Sequence, residues 1–377
     1  MTHTEAAEAR TAATGRELVV RLAFGTMAAH TLGAAVRLGI VELIGDGART
    51  AADVARTAGT AHQPTARLMR ALAALGLLTE EAPDTFSVTP AGALLDPRHP
   101  EGLASFVRMF TDPAIVRAWE HLDGSVRTGE VAFDTVFGTD FFSHLARHPE
   151  LSADFNTAMS QVVTDTATVL PRAFDFGRHT RVTDVGGGSG TLMAALLATY
   201  PDLTGVVLDT ADGLAEAAKT LARHGLEGRC SLVAGDFFHS VPHGSDVYLV
   251  KSVLHDWTDA QAVTILRHCR RALPPGGVVL IVEPVLAEVV GAEDAGVYLS
   301  DLNMMVNIGG RERTRADFED LCRRAGLRVT SVTPLPDAAP YSLIEAEAEA
   351  EAEAEAEAEA EAEAEAEAEA EAVAVTG

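Results

Sequence analysis

The sequence predicts an α/β fold with a largely parallel, seven-stranded sheet behind an N-terminal, mainly α module of winged-helix type. Three observations carry that expectation. From Arg181 onward, short β-rich runs alternate with helical stretches long enough to serve as crossovers. Between Ala51 and Leu95 the pattern is helix, turn, helix, hairpin. With 377 residues, the chain also exceeds what one hydrophobic core usually carries, so two domains and a further end segment are expected.

Composition places the bulk of the chain among globular proteins, since hydrophobic residues make up 47% and charged residues 22%. The net charge of −26 is misleading. From Glu345 to Ala372 runs an uninterrupted Glu-Ala repeat with 14 of the negative charges, so the remainder carries −12. An acidic surface of that size speaks against duplex nucleic acid or anionic membranes as partners. Cys230, Cys269 and Cys322 are isolated, with no CxxC spacing, and read as reduced thiols of a cytoplasmic protein. MTHTEAAEAR lacks a basic region followed by an apolar one, so no secretory signal is expected.

Residues 15 to 45 have apolar positions at helical spacing and suggest two helices; Arg21, His30 and Arg37 interrupt the run too often for a membrane span. A helix over Ala51 to Thr57, a second over Gln63 to Leu75 and a small hairpin then compose the winged helix. The second helix carries only Arg67 and Arg70 among alanines, a surface better suited to another subunit than to DNA. Residues 101 to 175 read as mostly helical, with Phe106, Phe110, Trp119, Phe141, Phe142 and Phe155 as core or pocket aromatics. The expected division is therefore 1–100, a helical connector over 101–175, the α/β domain over 176–348, and the repeat tail from 349, expected to be a solvated coil because its glutamates repel at i and i+4.

The strand runs are RVTDV, TGVVLD, CSLVAGD, DVYLVKSV, GGVVLIVE, GLRVTSVTPL and YSLIEA. In such sheets ligands bind beyond the carboxyl ends of the strands. The first run ends in DVGGGSG, where Gly186, Gly187 and Gly188 allow a sharp turn and close approach of backbone to a ligand. A nicotinamide fingerprint would need glycine or alanine where Thr191 stands, and no GK[ST] follows for a P-loop. The second run ends at Asp209, placed to accept from ribose hydroxyls. The third ends in AGDFF, with Asp236 as acceptor for an adenine amino group and Phe237 as a surface for the ring. In order, at successive strand ends, they point to an adenosine-bearing ligand.

DVGGGSG, the aspartate of VVLD, GDFF, LVKSVLHDW, LIVEPVL and GGRERT resemble, as a set, the small-molecule O-methyltransferases that use S-adenosylmethionine. That group includes caffeate-type plant enzymes and actinomycete antibiotic-tailoring enzymes, and the resemblance spans about residues 18 to 345. It implies a class I methyltransferase, Rossmann-like sheet behind a winged-helix dimerisation domain, hence a homodimer. It also implies that Gly186, Asp209, Asp236, Phe237 and Lys251, with the neighbouring Gly187, Gly188 and Ser252, contact the cofactor. His255 in VLHDW would take the proton from an acceptor hydroxyl, flanked by Glu283 and Glu312. A phenolic hydroxyl of an aromatic natural product, such as a polyketide, is the implied acceptor.

Residue by residue, His255 lies just past the fourth run, where Thr258 and Gln261 form a capping box that starts the next helix. Glu283 closes the neighbouring fifth run, so the two side chains can converge. Adjacent Asp256 is discounted as a partner because consecutive residues project apart. Met159, Phe142, Trp257, Asn303, Met304 and Asn307 are the expected pocket residues. No metal is expected: Asp301 and Asn303 lack an identifiable third oxygen ligand and read as pocket or helix polar residues. Two rival readings remain: a methyltransferase fold turned to hydroxylation or decarboxylation, and a ligand-sensing DNA-binding protein built on the winged helix.

Overall fold

The computed structural model describes residues 15–349. The chain divides into two compact units: the first is the chain up to Val116 with Leu145–Gln161, the second Arg117–His144 with the chain from Val162. The helical stretch expected as one connector over 101–175 is thus shared between them.

In the first unit, helices Ala51–Ala58 and His62–Ala74 stand beside a small antiparallel sheet of order β1-β3-β2, formed by Arg49–Thr50 (β1), Leu78–Ala82 (β2) and Thr85–Val88 (β3). Thr50 starts the first of these helices by accepting from the Asp53 amide at 3.1 Å, and Gly59 ends it at φ 67°. Ile40, Val54, Met69, Leu72 and Phe86 form the core of this winged helix. Arg70 is tied to Glu80 and Asp84, so one of the two basic residues of the second helix is already paired. Leu18, Val19, Val20, Leu22, Phe24 and Met27 are exposed. Among the described residues no single helix is long and apolar enough to cross a membrane.

The second unit is built on a sheet of order β10-β11-β8-β7-β4-β5-β6, with a short strand β9 paired to β8. The strands are Arg181–Val185 (β4), Thr204–Asp209 (β5), Cys230–Ala234 (β6), Val247–Lys251 (β7), Val278–Leu286 (β8), Arg313–Thr314 (β9), Leu327–Pro334 (β10) and Tyr341–Ala348 (β11). From β6 through β8 all neighbours are parallel, while β11 lies antiparallel between β8 and β10. Alternate residues serve opposite faces. Val247, Leu249, Val278, Leu280 and Val282 join a core with the helix Thr191–Thr199; Tyr248, Val250, Val279 and Ile281 join one with the helices Asp259–Ala272 and Arg315–Arg324. Both faces are covered, so these strands read as continuous apolar runs. The order reverses between β4 and β7, which opens a crevice at their carboxyl ends.

The Glu-Ala repeat begins inside β11. Ala346 is fully buried, while Glu345 pairs with Leu280 on one side and Ser331 on the other. Beyond residue 349 the repeat lies outside the described residues. A chain ending at Glu349 keeps every β11 pairing and is expected to melt with the full-length protein and turn over equally fast. One ending at Ile344 loses Ala346 and the strand's end, and is expected to melt lower by differential scanning calorimetry. Equal melting of the two truncations would contradict the assigned register.

Candidate active site

After β7, Ser252 adopts φ 51°, and the chain enters a tight turn over Leu254–Asp256 before the helix Asp259–Ala272. Thr258 and Gln261 form the expected capping box there. This fixes both ends of the His255 loop. A single hydrogen bond orients the ring: Nδ1 lies 3.1 Å from Glu312 Oε1. Glu283 approaches the same nitrogen only to 3.5 Å, because its other oxygen accepts from the backbone N–H groups of Val253 and Leu254, both at 2.9 Å. Glu283 therefore fastens the loop, and Glu312 holds the ring.

Asp256, discounted from the sequence, sits with Oδ1 3.6 Å from Nε2. The tight turn bends adjacent side chains toward each other, although the separation is too long for a hydrogen bond. Burial disfavours the imidazolium, but the carboxylates of Glu283, Asp256 and Glu312 outweigh it and raise the His255 pKa well above its ordinary value. Burial also pushes the Asp256 carboxyl up to about 7, with Glu283 and Glu312 adding to the rise and His255 opposing it. The Glu283 carboxyl is raised for the same reason, burial first.

GGRERT shapes this geometry residue by residue. A Cβ on Gly310 would stand 2.0 Å from His255 O, so only glycine lets this backbone lie against the histidine loop. The Glu312 amide donates to Asp301 Oδ1 at 2.8 Å, and Ser300 Oγ donates to Glu312 Oε1 at 3.0 Å. Asp301, expected as a pocket or helix polar residue, is thus an anchor for Glu312. Arg313 is wholly buried: Nη1 donates to Leu254 O at 2.7 Å, Nη2 to Trp257 O at 2.8 Å, and Nε and Nη2 to Asp259 Oδ1. It clamps the two ends of the His255 turn. Sequence reading passed over Arg313 because its partners lie more than fifty positions away; the only available signal was an arginine inside a motif chosen for its glutamate.

His255, Glu283 and Glu312 also form a donor set whose ligand atoms lie within 4.8 Å of one another, a composition that suits a divalent metal. The hydrogen bond to Nδ1 and the two amides on Glu283 account for much of the same donor set without an ion.

The crevice carries the residues expected at the strand ends. Gly186 (φ 75°) and Gly188 (φ 50°) follow β4, and a Cβ on Gly186 would fall 2.6 Å from Val253 and 3.8 Å from the Phe237 ring. Gly187 backs onto Asp184, whose buried Oδ2 has no partner among the described residues and whose carboxyl burial lifts to about 7. Asp209 at the end of β5 accepts from the Gly188 amide at 2.8 Å. Asp236 holds the Phe238 amide and His239. Lys251 and Ser252 meet a residue missed from the sequence, Tyr341 of β11: its hydroxyl lies 3.3 Å from Lys251 Nζ and 3.1 Å from Ser252 Oγ.

Phe142 stacks on Trp257 at 5.4 Å between centroids, with Phe238 and Phe237 edge-on to the same indole. Asn303 Oδ1 accepts from Trp119 and from Asn307; Met304, on the same helix Ala295–Asn307, is buried. Met159 belongs to the other unit, on the helix Pro149–Val162.

Two family models match the chain: an O-methyltransferase domain over residues 119–328 and an O-methyltransferase dimerisation domain over residues 20–96. The chain belongs to the O-methyltransferases. Among curated proteins it is 42% identical over 348 residues to the O-demethylpuromycin-O-methyltransferase of Streptomyces alboniger, covering 91% of this chain and 92% of that one. Among solved structures it matches the mitomycin 7-O-methyltransferase at a TM-score of 0.83 and 36% identity, covering 90% and 99% of the two chains. It also matches an O-methyltransferase from neocarzinostatin biosynthesis, solved with S-adenosylmethionine and 2-hydroxy-5-methyl naphthoic acid, at a TM-score of 0.73 and 35% identity, covering 85% and 96%. This O-methyltransferase uses S-adenosylmethionine as its methyl donor. The glycine turn, which lets the backbone approach closely, and the acceptor oxygens of the acidic strand ends suit such a group.

The two arginines of GGRERT give a direct test of the clamp. Arg313→Met takes its N–H groups away from Leu254 O, Trp257 O and Asp259, leaves Trp257 O without a side-chain donor, and is expected to destabilise the enzyme by about 1–3 kcal/mol, with turnover falling alongside. Half-exposed Arg311, which bridges Asp259 and Asp317, is expected to contribute no more than about 1 kcal/mol when replaced by alanine. Denaturant titration of both variants checks this, and equal losses would refute the clamp.

Proposed function

We propose that this O-methyltransferase methylates a phenolic hydroxyl of an aromatic natural product, with His255 as general base. The 3.1 Å contact from Nδ1 to buried Glu312 supports the reading most directly. It holds the proton on Nδ1 and leaves Nε2 to accept the proton of a bound hydroxyl. A phenol titrates near ~10 and an ordinary histidine near ~6.5, a gap worth about 5 kcal/mol. Raising the histidine narrows that gap from one side. S-adenosylmethionine, when bound, supplies the electrophilic methyl group and a positive sulfonium charge that favours the phenolate. Gly186, Gly187, Gly188, Asp209, Asp236, Phe237, Lys251 and Ser252 are the proposed cofactor contacts, and Trp257 with Phe142 the proposed aromatic wall for the acceptor. The intact pairing of His255 with Glu312 favours methyl transfer over hydroxylation or decarboxylation, neither of which calls for a base at this position.

The active enzyme is proposed to be a cytoplasmic homodimer. Its three cysteines are free, and the exposed apolar face of Leu18, Val19, Leu22 and Phe24 lies on or beside the segment that matches the dimerisation model. Replacing Leu22 and Phe24 by glutamate is expected to halve the mass measured by light scattering; an unchanged mass would remove these residues from the interface.

Loss of the base in His255→Ala is expected to slow transfer of labelled methyl to a phenol at least roughly a hundredfold. The neutral ring is the active form and its pKa is raised, so kcat/KM rises with pH until the raised value is passed. Glu312→Gln removes the anion hydrogen-bonded to Nδ1, lowers the histidine pKa and is expected to shift the rising limb to lower pH while reducing the maximum. A pH profile that does not move in Glu312→Gln would exclude His255 as the titrating base.

A further inference from the structure

On the face of the sheet that packs Tyr248 and Val250, the helices Asp259–Ala272 and Arg315–Arg324 end together at the edge where β8 and β10 begin. Their last turns carry Arg270, Arg271, Arg323 and Arg324. Arg267 stands one turn before Arg271, and Arg328 is the second residue of β10. Hydrogen bonds tie the group together: Arg267 donates through Nε and Nη2 to Arg324 O at 3.3 and 3.0 Å, and Arg270 Nε donates to Gly326 O at 3.3 Å. Cations suit a helix C-terminus, whose free carbonyls carry partial negative charge, and this explains why arginines stand here. It does not neutralise them. Asp320 pairs with Arg323 and Arg324, and Glu347 with Arg328 at 3.6 Å. Arg267, Arg270 and Arg271 have no carboxylate partner among the described residues, and Arg267 and Arg271 are exposed, in a chain that is otherwise strongly acidic.

The Glu-Ala repeat leaves the sheet at this same place. Ala348 pairs with Leu327, and the Glu349 amide donates at 3.1 Å to Gly326 O, the oxygen that Arg270 also reaches. The ion pair of Glu347 with Arg328 is already a contact between the repeat and the cluster. Eleven more glutamates follow, from Glu351 to Glu371. With almost no linker between them and the arginines, they are held there at an effective concentration on the order of millimolar. We propose that these glutamates fold back onto the exposed guanidiniums of the cluster, Arg267 and Arg271 first, so that the repeat is a tethered polyanion that covers the basic edge of the sheet against other acidic surfaces. Because every second residue is a glutamate, many registers serve equally and no single fold of the repeat is required. The cluster lies where β8 begins, the opposite edge from the carboxyl ends that hold His255, so its cover can be removed without touching turnover. Exposed ion pairs contribute little each, and ordering the tail offsets part of that, so melting in ordinary salt is unaffected as well. Lowering the salt lengthens the reach of the attraction.

The test supplies the repeat in trans. A fluorescein-labelled peptide of eleven Glu-Ala units is titrated, by fluorescence anisotropy, with the full-length enzyme and with the chain ending at Glu349. In about 20 mM salt the truncated chain is expected to bind at least about tenfold more tightly, because its cluster is uncovered, and about 0.5 M salt is expected to abolish the binding. A Gln-Ala peptide of the same length should bind neither chain. In the truncated chain, Arg267→Gln with Arg271→Gln is expected to weaken the peptide at least about fivefold, while glutamine keeps a donor for Arg324 O. The charge-matched control is Arg172→Gln with Arg223→Gln, two exposed arginines in the last turns of helices on the other face of the sheet, which should leave the affinity within about twofold. Equal affinity of the full-length and truncated chains would show the cluster open to some other acidic partner and overturn the proposal. Absence of binding by the truncated chain, or an equal loss in the two double variants, the mark of net charge alone, would overturn it too.

Discussion

A guanidinium with no exposure must find an acceptor for its N–H groups inside the protein, because an unpaired buried charge is far costlier than any contact it displaces. Arg313 finds those acceptors in Leu254 O, Trp257 O and Asp259, the carbonyls and carboxylate that bracket His255. The requirement works in both directions. The arginine cannot be buried unless the loop closes on it, and without the arginine Trp257 O would lose its side-chain donor and Leu254 O would keep only the Trp257 amide. Because β9 pairs Arg313 with Val285 of β8, the clamp is referred to the central sheet and not to another loop. Glu283, also on β8, grips the loop from its other end through two amides. The position of the imidazole is thus set by β8 and the short strand paired to it.

The cluster so assembled is electrostatically unbalanced. Asp256, Glu283 and Glu312 surround a single imidazole, and burial raises the Asp256 and Glu283 carboxyls. All three carboxylates and the ring cannot hold their usual solution charges together at neutral pH without a large penalty. Protons shared among them, the Ser300 hydroxyl and the backbone amides reduce that penalty without removing the negative potential. A site with that sign stabilises both an imidazolium and a nearby sulfonium, the two cations the proposed reaction requires. The acidic balance of the domain and the chemistry of its cofactor therefore agree.

Much of this was legible in the sequence because it is local. Strand runs, the glycine turn, the acidic strand ends and the Thr258 capping box each announce themselves within a few residues, and Glu283 follows from the rule that ligands gather at strand ends. What escaped depends on distance. Arg313 and its carbonyls, Trp119 and Asn303, and Tyr341 with Lys251 meet across more than fifty positions, and nothing in the neighbourhoods of Lys251, Asn303 or Trp119, each named singly, marks these pairings. Asp256 was discounted for a reason that does not hold here, although at 3.6 Å from Nε2 it still makes no hydrogen bond to the ring. The rule that consecutive side chains diverge holds for an extended chain, and a tight turn at Leu254–Asp256 sets it aside. The choice between Glu283 and Glu312 could not be made either, since it turns on which carboxylate oxygen the loop amides already occupy.

The helix Ala295–Asn307 braces the carboxylate that orients the proposed base. Ser300 and Asp301 hold Glu312 by its side chain and its amide, while Asn303, one turn later, accepts from Trp119 and from Asn307. Side chains at its last turn can change at little consequence for the base, provided Ser300 and Asp301 keep their grip on Glu312. A shift of the whole helix would lengthen the Glu312–His255 bond and lower the basicity that bond supports.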